Sequence, residues 1–316
     1  MSDAADTVAV IGAGLIGRSW ALAFARGGLS VRLADARDGA AAAAAEWAAD
    51  EAGRLAPMGL LRGQDAGAVA ARIRPAEDVT EAVEGAALVQ ECIAETAEAK
   101  RALVAAVEAA AHDDAVIASS TSALMPSVIF ARARRPERGL VAHPLNPPHL
   151  VPAVEIVPGP ATAAAAVERA RALMAGIGQS PVVLAAETPG FAMNRLQGAL
   201  LDEAFALVAE GLLTPGDVDR AMCDGLARRW CFMGPFETID PNAPGGVTGF
   251  VERYGAAYDV IGRGRPNRHP WTEALVGRIA RDRRAALPED RLPARQAWRD
   301  RRLAALSSHL TAEAAE

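Results

Sequence analysis

The run Gly12-Ala13-Gly14-Leu15-Ile16-Gly17 constrains this chain more than any other feature. It follows an apolar, β-rich stretch, Thr7–Ile11, and opens a helical one, Leu15–Arg26. A second strand pattern, Val31–Asp35, then ends in a carboxylate. Strand, glycine turn, helix, strand and acid in this order form the dinucleotide fingerprint. Gly12 permits the tight turn, Gly14 lets backbone approach a pyrophosphate, and Gly17 lets helix and strand pack closely. The amides of Leu15 and Ile16 lie at a helix N-terminus, where free N–H groups and the positive dipole end favour phosphate. Asp35 can accept hydrogen bonds from the adenosine ribose hydroxyls and repels a 2′-phosphate, so the expected cofactor is NAD rather than NADP.

The rest of the first half repeats that alternation. Strand patterns at Ile73, Ala87–Cys92, Ala115–Ser119 and Gly139–His143 are interleaved with helical stretches at Ala40–Glu51 and Thr96–Ala111. Alternation of this kind predicts a parallel sheet with right-handed crossovers. Strands at Val151–Val157 and Val182–Leu184 flank a helix over Ala163–Ala175. After Thr188-Pro189-Gly190 the pattern becomes helical, beginning with Phe191–Glu210, and Thr214-Pro215 supplies an N-cap and N1 proline for the next helix. The expected fold is an α/β, Rossmann-type doubly wound sheet over residues 1–187, followed by an all-helical domain over 188–316.

Bulk properties narrow the function. The 316 residues are 51% hydrophobic and 23% charged, which suits a globular chain of two domains. The formal net charge is -6, and no basic block interleaves with aromatics, so nucleic acid is not an expected partner. The apolar run near the N-terminus is too short for a signal peptide or a membrane span. A cytoplasmic protein with no membrane partner is expected. Cys92, Cys223 and Cys231 form no CxxC pair, so buried, reduced thiols are expected, and no metal. Arginine almost replaces lysine here. Lys100 is the single lysine, a hint that a compact ammonium is needed at that position.

Polar groups gather where strands give way to loops: Ser119–Ser122, His143 ahead of Pro144-Leu145-Asn146-Pro147-Pro148, and Glu155 within an apolar strand. In open α/β sheets the carboxyl ends of strands form the ligand crevice. A carboxylate inside an apolar run is costly without a partner. His143 is the natural one, and such a pair makes a general base. With Asn194 in the first helix after the boundary, Ser122, His143 and Glu155 make a four-member candidate site.

At these residues the sequence resembles the 3-hydroxyacyl-CoA dehydrogenase superfamily. The resemblance runs through Gly12–Ala21, Ser119–Ser127, Val141–Pro158, Gly190–Gly211, Arg228–Thr238 and Arg295–Leu306, and so covers nearly the whole chain. It implies His143 as the acid/base with Glu155 as its partner, Ser122 and Asn194 on the reacting oxygen, and Asp35 on the ribose. It implies Glu95 and Lys100 near the bound NAD. It also implies a homodimer formed through the helical domain.

The gulonate-oxidising branch of that superfamily is matched best, which implies oxidation of the 3-hydroxyl of L-gulonate to 3-dehydro-L-gulonate. L-carnitine and 3-hydroxyacyl-CoA are the alternatives, and Asn194 with Asn146–Pro148 favours gulonate. A free carboxylate substrate needs a cation, for which Arg229 is the candidate, because a guanidinium matches a carboxylate in bidentate fashion. A non-catalytic, crystallin-like NAD-binding role is the reading from another class.

Overall fold

Eight strands form one sheet in the order β3-β2-β1-β4-β5-β6-β7-β8. The computed structural model describes residues 7–231 and 246–263 continuously, together with 234, 235, 238, 274, 285, 288–291, 294, 297, 301, 304, 305, 308 and 309; the side chains of 228, 229, 246–249, 259, 262, 263 and 289 are outside the description. The strands are β1 (Thr7–Ile11), β2 (Ser30–Ala34), β3 (Ile73–Pro75), β4 (Leu88–Glu91), β5 (Val116–Ser119), β6 (Gly139–Pro144), β7 (Ala153–Pro158) and β8 (Ser180–Val183). The helices of this part are α1 (Leu15–Arg26), α2 (Ala40–Leu55), α3 (Ala66–Ala70), α4 (Val79–Val83), α5 (Ala97–Ala110), α6 (Pro126–Ile129) and α7 (Ala164–Gly176). The short helices α3, α4 and α6 are too brief to leave a periodic signature in the sequence.

β1 shows why the sheet is covered on both faces. Val8 and Val10 pack with α1, α2 and α7. The alternate residues Ala9 and Ile11 pack with α4 and α5. A strand buried on both sides reads as a continuous apolar run, as TVAVI does. Trp20 and Phe24, both fully buried on α1, stack with ring centroids 5.2 Å apart.

Two details depart from the sequence expectation. The sheet is not parallel throughout, because β7 runs antiparallel to β6. The connection between them, residues 145–152, carries no helix. A parallel return needs a crossover of a dozen or more residues, so a hairpin-like reversal is what remains. Helix α2 also runs past Gly53 to Leu55, since Ala44, Ala48, Ala52 and Leu55 bury one continuous stripe and outweigh the modest cost of a helical glycine.

The 145–152 connection is pinned to α2. Buried His149 Nε2 meets Glu51 Oε1 at 3.1 Å, and Arg54 holds the same carboxylate. Burial pushes Glu51 upward, but the hydrogen bonds from Arg54 and His149 outweigh it and hold the carboxyl down at about 2. A depressed carboxylate stabilises the fold above its unfolded pKa of 4.5 and loses that contribution as pH falls towards 2. Glu51→Gln is therefore expected to cost on the order of 2 kcal/mol at pH 7. The difference from the unaltered protein should vanish between pH 4.5 and 2, as checked by urea unfolding across that range.

The chain divides into two compact units. One comprises residues up to Asn194 together with those from Gln296 onward, and the other Arg195–Arg295. The tail thus counts with the sheet unit: Ala304 is buried in the core that α1, α2 and α7 share, and Ser308 Oγ donates to the Met58 carbonyl at 2.8 Å. The described elements beyond the sheet are helical: α8 (Met193–Ala209), α9 (Pro215–Arg220), a π-helical segment (Ala221–Leu226), α10 (Ala227–Trp230), α11 (Gly246–Arg263) and a 3-10 turn (Glu289–Arg291). Thr214 and Asp217 form a capping box on α9, with Pro215 at its start. Among the described residues no helix is long and apolar enough to cross a membrane. All three cysteines are free thiols, but only Cys92 is sheltered; Cys223, in the π-helical segment, and Cys231, on the turn after α10, are exposed, contrary to the expectation of burial.

Candidate active site

The sheet changes winding direction between β1 and β4, and the glycine turn lies at that switch point. Gly12 has φ +102°, and a Cβ there would stand 2.5 Å from the Cys92 carbonyl at the end of β4. Gly17 is packed so closely on the turn that a Cβ would meet the Gly12 carbonyl. Above Gly14 the space is open, and no side chain caps α1, so its first amides are not spent on a cap. Leu15 at this opening is half exposed. Asp35 follows β2, and its Oδ2 accepts the Ala13 amide at 2.7 Å. The arrangement fits a dinucleotide: a helix N-terminus with open approach for the diphosphate and a carboxylate beside the turn for the ribose. Bound there, NAD would lie against the amides after Gly14 with its adenosine ribose at Asp35.

At the other side of β4 a reversal of charge is buried. Lys100 on α5 is 1% exposed, with Nζ 2.7 and 2.8 Å from the two Glu91 oxygens and 3.2 Å from Glu95 Oε2. Glu91 also accepts the Ile93 amide at 2.7 Å and the Ser119 hydroxyl. The lone lysine thus has a structural reason: a compact ammonium between two carboxylates. Burial pushes Glu95 upward, but the Thr121 hydroxyl, the Lys100 charge and the Ser122 amide together hold it below the ordinary carboxylate range. Glu95 Oε1 accepts the Ser122 amide at 3.0 Å and the Thr121 hydroxyl, so it shapes the turn after β5.

Ser122 is held from both ends. Its amide goes to Glu95, and its carbonyl accepts Asn194 Nδ2 at 2.7 Å. Its hydroxyl is left exposed. Asn194 therefore meets Ser122 through the main chain, and the structure brings these two together with Glu95 and Lys100 in one connected set.

His143 lies at the carboxyl end of β6, directly opposite Glu155 in the antiparallel register with β7. Residues so paired place their side chains on the same face. His143 Nδ1 and Glu155 Oε2 are hydrogen-bonded at 2.7 Å, with the ring N–H donating in the tautomer that carries hydrogen on Nδ1. Glu155 is fully buried, and its other oxygen accepts the amides of Ala192 at 2.6 Å and Met193 at 2.8 Å. Those amides open α8, whose dipole adds to the stabilisation of the carboxylate. Phe191, fully buried with φ +50°, places its ring 5.6 Å from the imidazole. With Nδ1 committed, Nε2 makes no hydrogen bond to any described residue.

Sequence reasoning missed Glu91 and Phe191, and marked Ser119 and Thr121 only as members of the polar stretch Ser119–Ser122. Glu91 could have been noticed as a charge inside an apolar strand, the same signal that singled out Glu155. Arg229 has its side chain outside the described residues.

Two family models match the chain: "3-hydroxyacyl-CoA dehydrogenase, NAD binding domain" over residues 7–188 and "3-hydroxyacyl-CoA dehydrogenase, C-terminal domain" over 190–280. A lambda-crystallin homolog of Bos taurus is 43% identical over 302 residues, covering 95% of this chain and 94% of the relative. An L-carnitine dehydrogenase of Pseudomonas aeruginosa is 37% identical over 282 residues, covering 86% and 84%. Among solved structures, the NAD+-dependent dismutase 5-formyl-3-hydroxy-2-methylpyridine 4-carboxylic acid 5-dehydrogenase superposes with a TM-score of 0.83 at 28% identity, covering 97% of this chain and 98% of that one.

Proposed function

Because the chain belongs to the 3-hydroxyacyl-CoA dehydrogenase family, whose members are NAD-dependent, we propose that it oxidises the 3-hydroxyl of a small hydroxy acid, L-gulonate to 3-dehydro-L-gulonate. The observation that carries the reading is the 2.7 Å bond between His143 and a Glu155 that is fully buried and twice bonded by backbone amides. Support for gulonate over carnitine is the resemblance to the gulonate-oxidising branch together with Asn194 and Asn146–Pro148.

NAD, when bound, supplies the acceptor for the hydride that leaves the hydroxyl-bearing carbon. His143 does the proton chemistry. Glu155 fixes the tautomer with hydrogen on Nδ1, which leaves the Nε2 lone pair to take the hydroxyl proton. The imidazolium so formed faces a carboxylate that cannot be reached by water. The Ala192 and Met193 amides and the helix N-terminus lie against Glu155 and favour negative charge there. The Ser122 hydroxyl and the remaining amide hydrogen of Asn194 hold the oxygen as it becomes a carbonyl. Arg229 is assigned to the substrate carboxylate, and the helical C-terminal domain to homodimer formation. Exposed Leu196, Val251, Val260 and Ile261 supply apolar surface for that contact.

The test is a substrate panel followed by NADH absorbance. L-gulonate with NAD should give a kcat/KM at least about tenfold above L-carnitine, and acetoacetyl-CoA with NADH should be slow; a tenfold preference corresponds to about 1.4 kcal/mol of differential transition-state binding. Preferential turnover of carnitine or of the acyl-CoA would replace gulonate while leaving the His143 chemistry in place. No turnover of any hydroxy acid, with NAD still bound, would favour the crystallin-like role.

A further inference from the structure

Asp35 is not alone at the ribose end of the nucleotide site. Two residues on, Arg37 grips it: the Arg37 amide and Nε donate to Oδ1 at 2.9 and 3.0 Å, and Nη2 donates to Oδ2 at 3.1 Å. The guanidinium side chain is 70% exposed and the carboxylate 10%. Its hydrogen bonds are the main reason that the Asp35 carboxyl is held down at about 2.

NAD and NADP differ only at the adenosine 2′ position, a hydroxyl in one and a phosphate in the other. A carboxylate at the end of the second strand accepts the hydroxyl and repels the phosphate, whereas an arginine nearby accommodates the phosphate. Here both stand in contact. We propose that Arg37 is a second specificity determinant of this site, a ready ligand for a 2′-phosphate whose guanidinium Asp35 keeps occupied. With a 2′-hydroxyl the ribose competes with Arg37 for the same two oxygens. With a 2′-phosphate the guanidinium turns to the dianion, for which its planar fork is well matched. Rejection of the phosphate is then weaker than a solitary carboxylate would give, and loss of Asp35 alone reverses the preference. This concerns the cofactor end and does not rest on the substrate reading.

The test is calorimetric binding of ADP-ribose and 2′-phospho-ADP-ribose to the full chain, without turnover. Arg37→Ala removes an exposed side chain, so it leaves the fold intact. It should weaken the phosphorylated probe at least about tenfold, the scale of a charge-assisted contact. It should leave ADP-ribose unchanged or up to about fivefold tighter, the scale of an exposed ion pair. Asp35→Ser should bind the phosphorylated probe at least about tenfold tighter than the unaltered protein, with a gain that shrinks as salt rises. Asp35→Ser combined with Arg37→Ala should lose that gain. The proposal is overturned if Arg37→Ala weakens both probes equally, if it leaves the phosphorylated probe unchanged, or if the gain from Asp35→Ser survives the second substitution.

Discussion

Replacement of His143 by alanine is expected to lower kcat by a factor of roughly 10²–10⁴, the range for removal of a positioned general base. The argument is geometric. Nδ1 is committed to Glu155 at 2.7 Å, so the imidazole has a fixed orientation and an Nε2 that bonds to no described residue. Elsewhere in the sheet unit, His149 is buried against Glu51, and His112 is on the exposed turn after α5. NADH affinity, measured by fluorescence titration, should change little, because the glycine turn and Asp35 make no hydrogen bond to residue 143. Alanine also leaves Glu155 Oε2 without its partner, so some stability is lost along with activity. His143→Gln separates the two effects: an amide can still donate to Glu155 but cannot take up a proton. It should show the same fall in kcat with a smaller fall in melting temperature. A kcat within about threefold of the unaltered enzyme in both variants would remove His143 from the mechanism.

The second large effect is on stability. Lys100→Met removes the only cation among the described residues that touches Glu91, a carboxylate 3% exposed, and leaves it with the Ile93 amide and the Ser119 hydroxyl. Breaking a buried pair from one side typically costs about 3–5 kcal/mol. For a unit of this size that lowers the melting temperature by roughly 10 °C. Removing both charges costs far less than removing one. Lys100→Met with Glu91→Gln should therefore recover most of the loss, as read by thermal unfolding. If the single variant melts normally, or the double variant is the worse of the two, the pair does not have the electrostatic role assigned to it.

Features set by neighbouring residues were readable in the sequence. The glycine turn, α1 and Asp35 are local chemistry: three glycines and an acid at fixed spacing. His143 and Glu155 were each noticeable, one at a strand end and the other as a charge in an apolar strand. What joins them was less readable. Their contact depends on β7 reversing against β6, and the alternating pattern suggested a parallel sheet. The donors that hold Glu155 are the amides of Ala192 and Met193, which any sequence possesses. Lys100 stood out by rarity, but the identity of its main partner, Glu91, depends on packing between β4 and α5. The return of the tail to the sheet unit rests on a few residues such as Ala304, whose burial no periodic pattern announces.

The clamp on Ser122 has a consequence for how substrate is received. Its peptide groups are tied down before anything arrives, one to Glu95 and the other to Asn194. The conformational entropy of that turn is surrendered when the chain folds, not when a ligand docks. Were the proposed hydroxy acid to dock at this turn, Ser122 would have little beyond its side-chain torsion left to freeze, so the turn would add little ordering cost to binding.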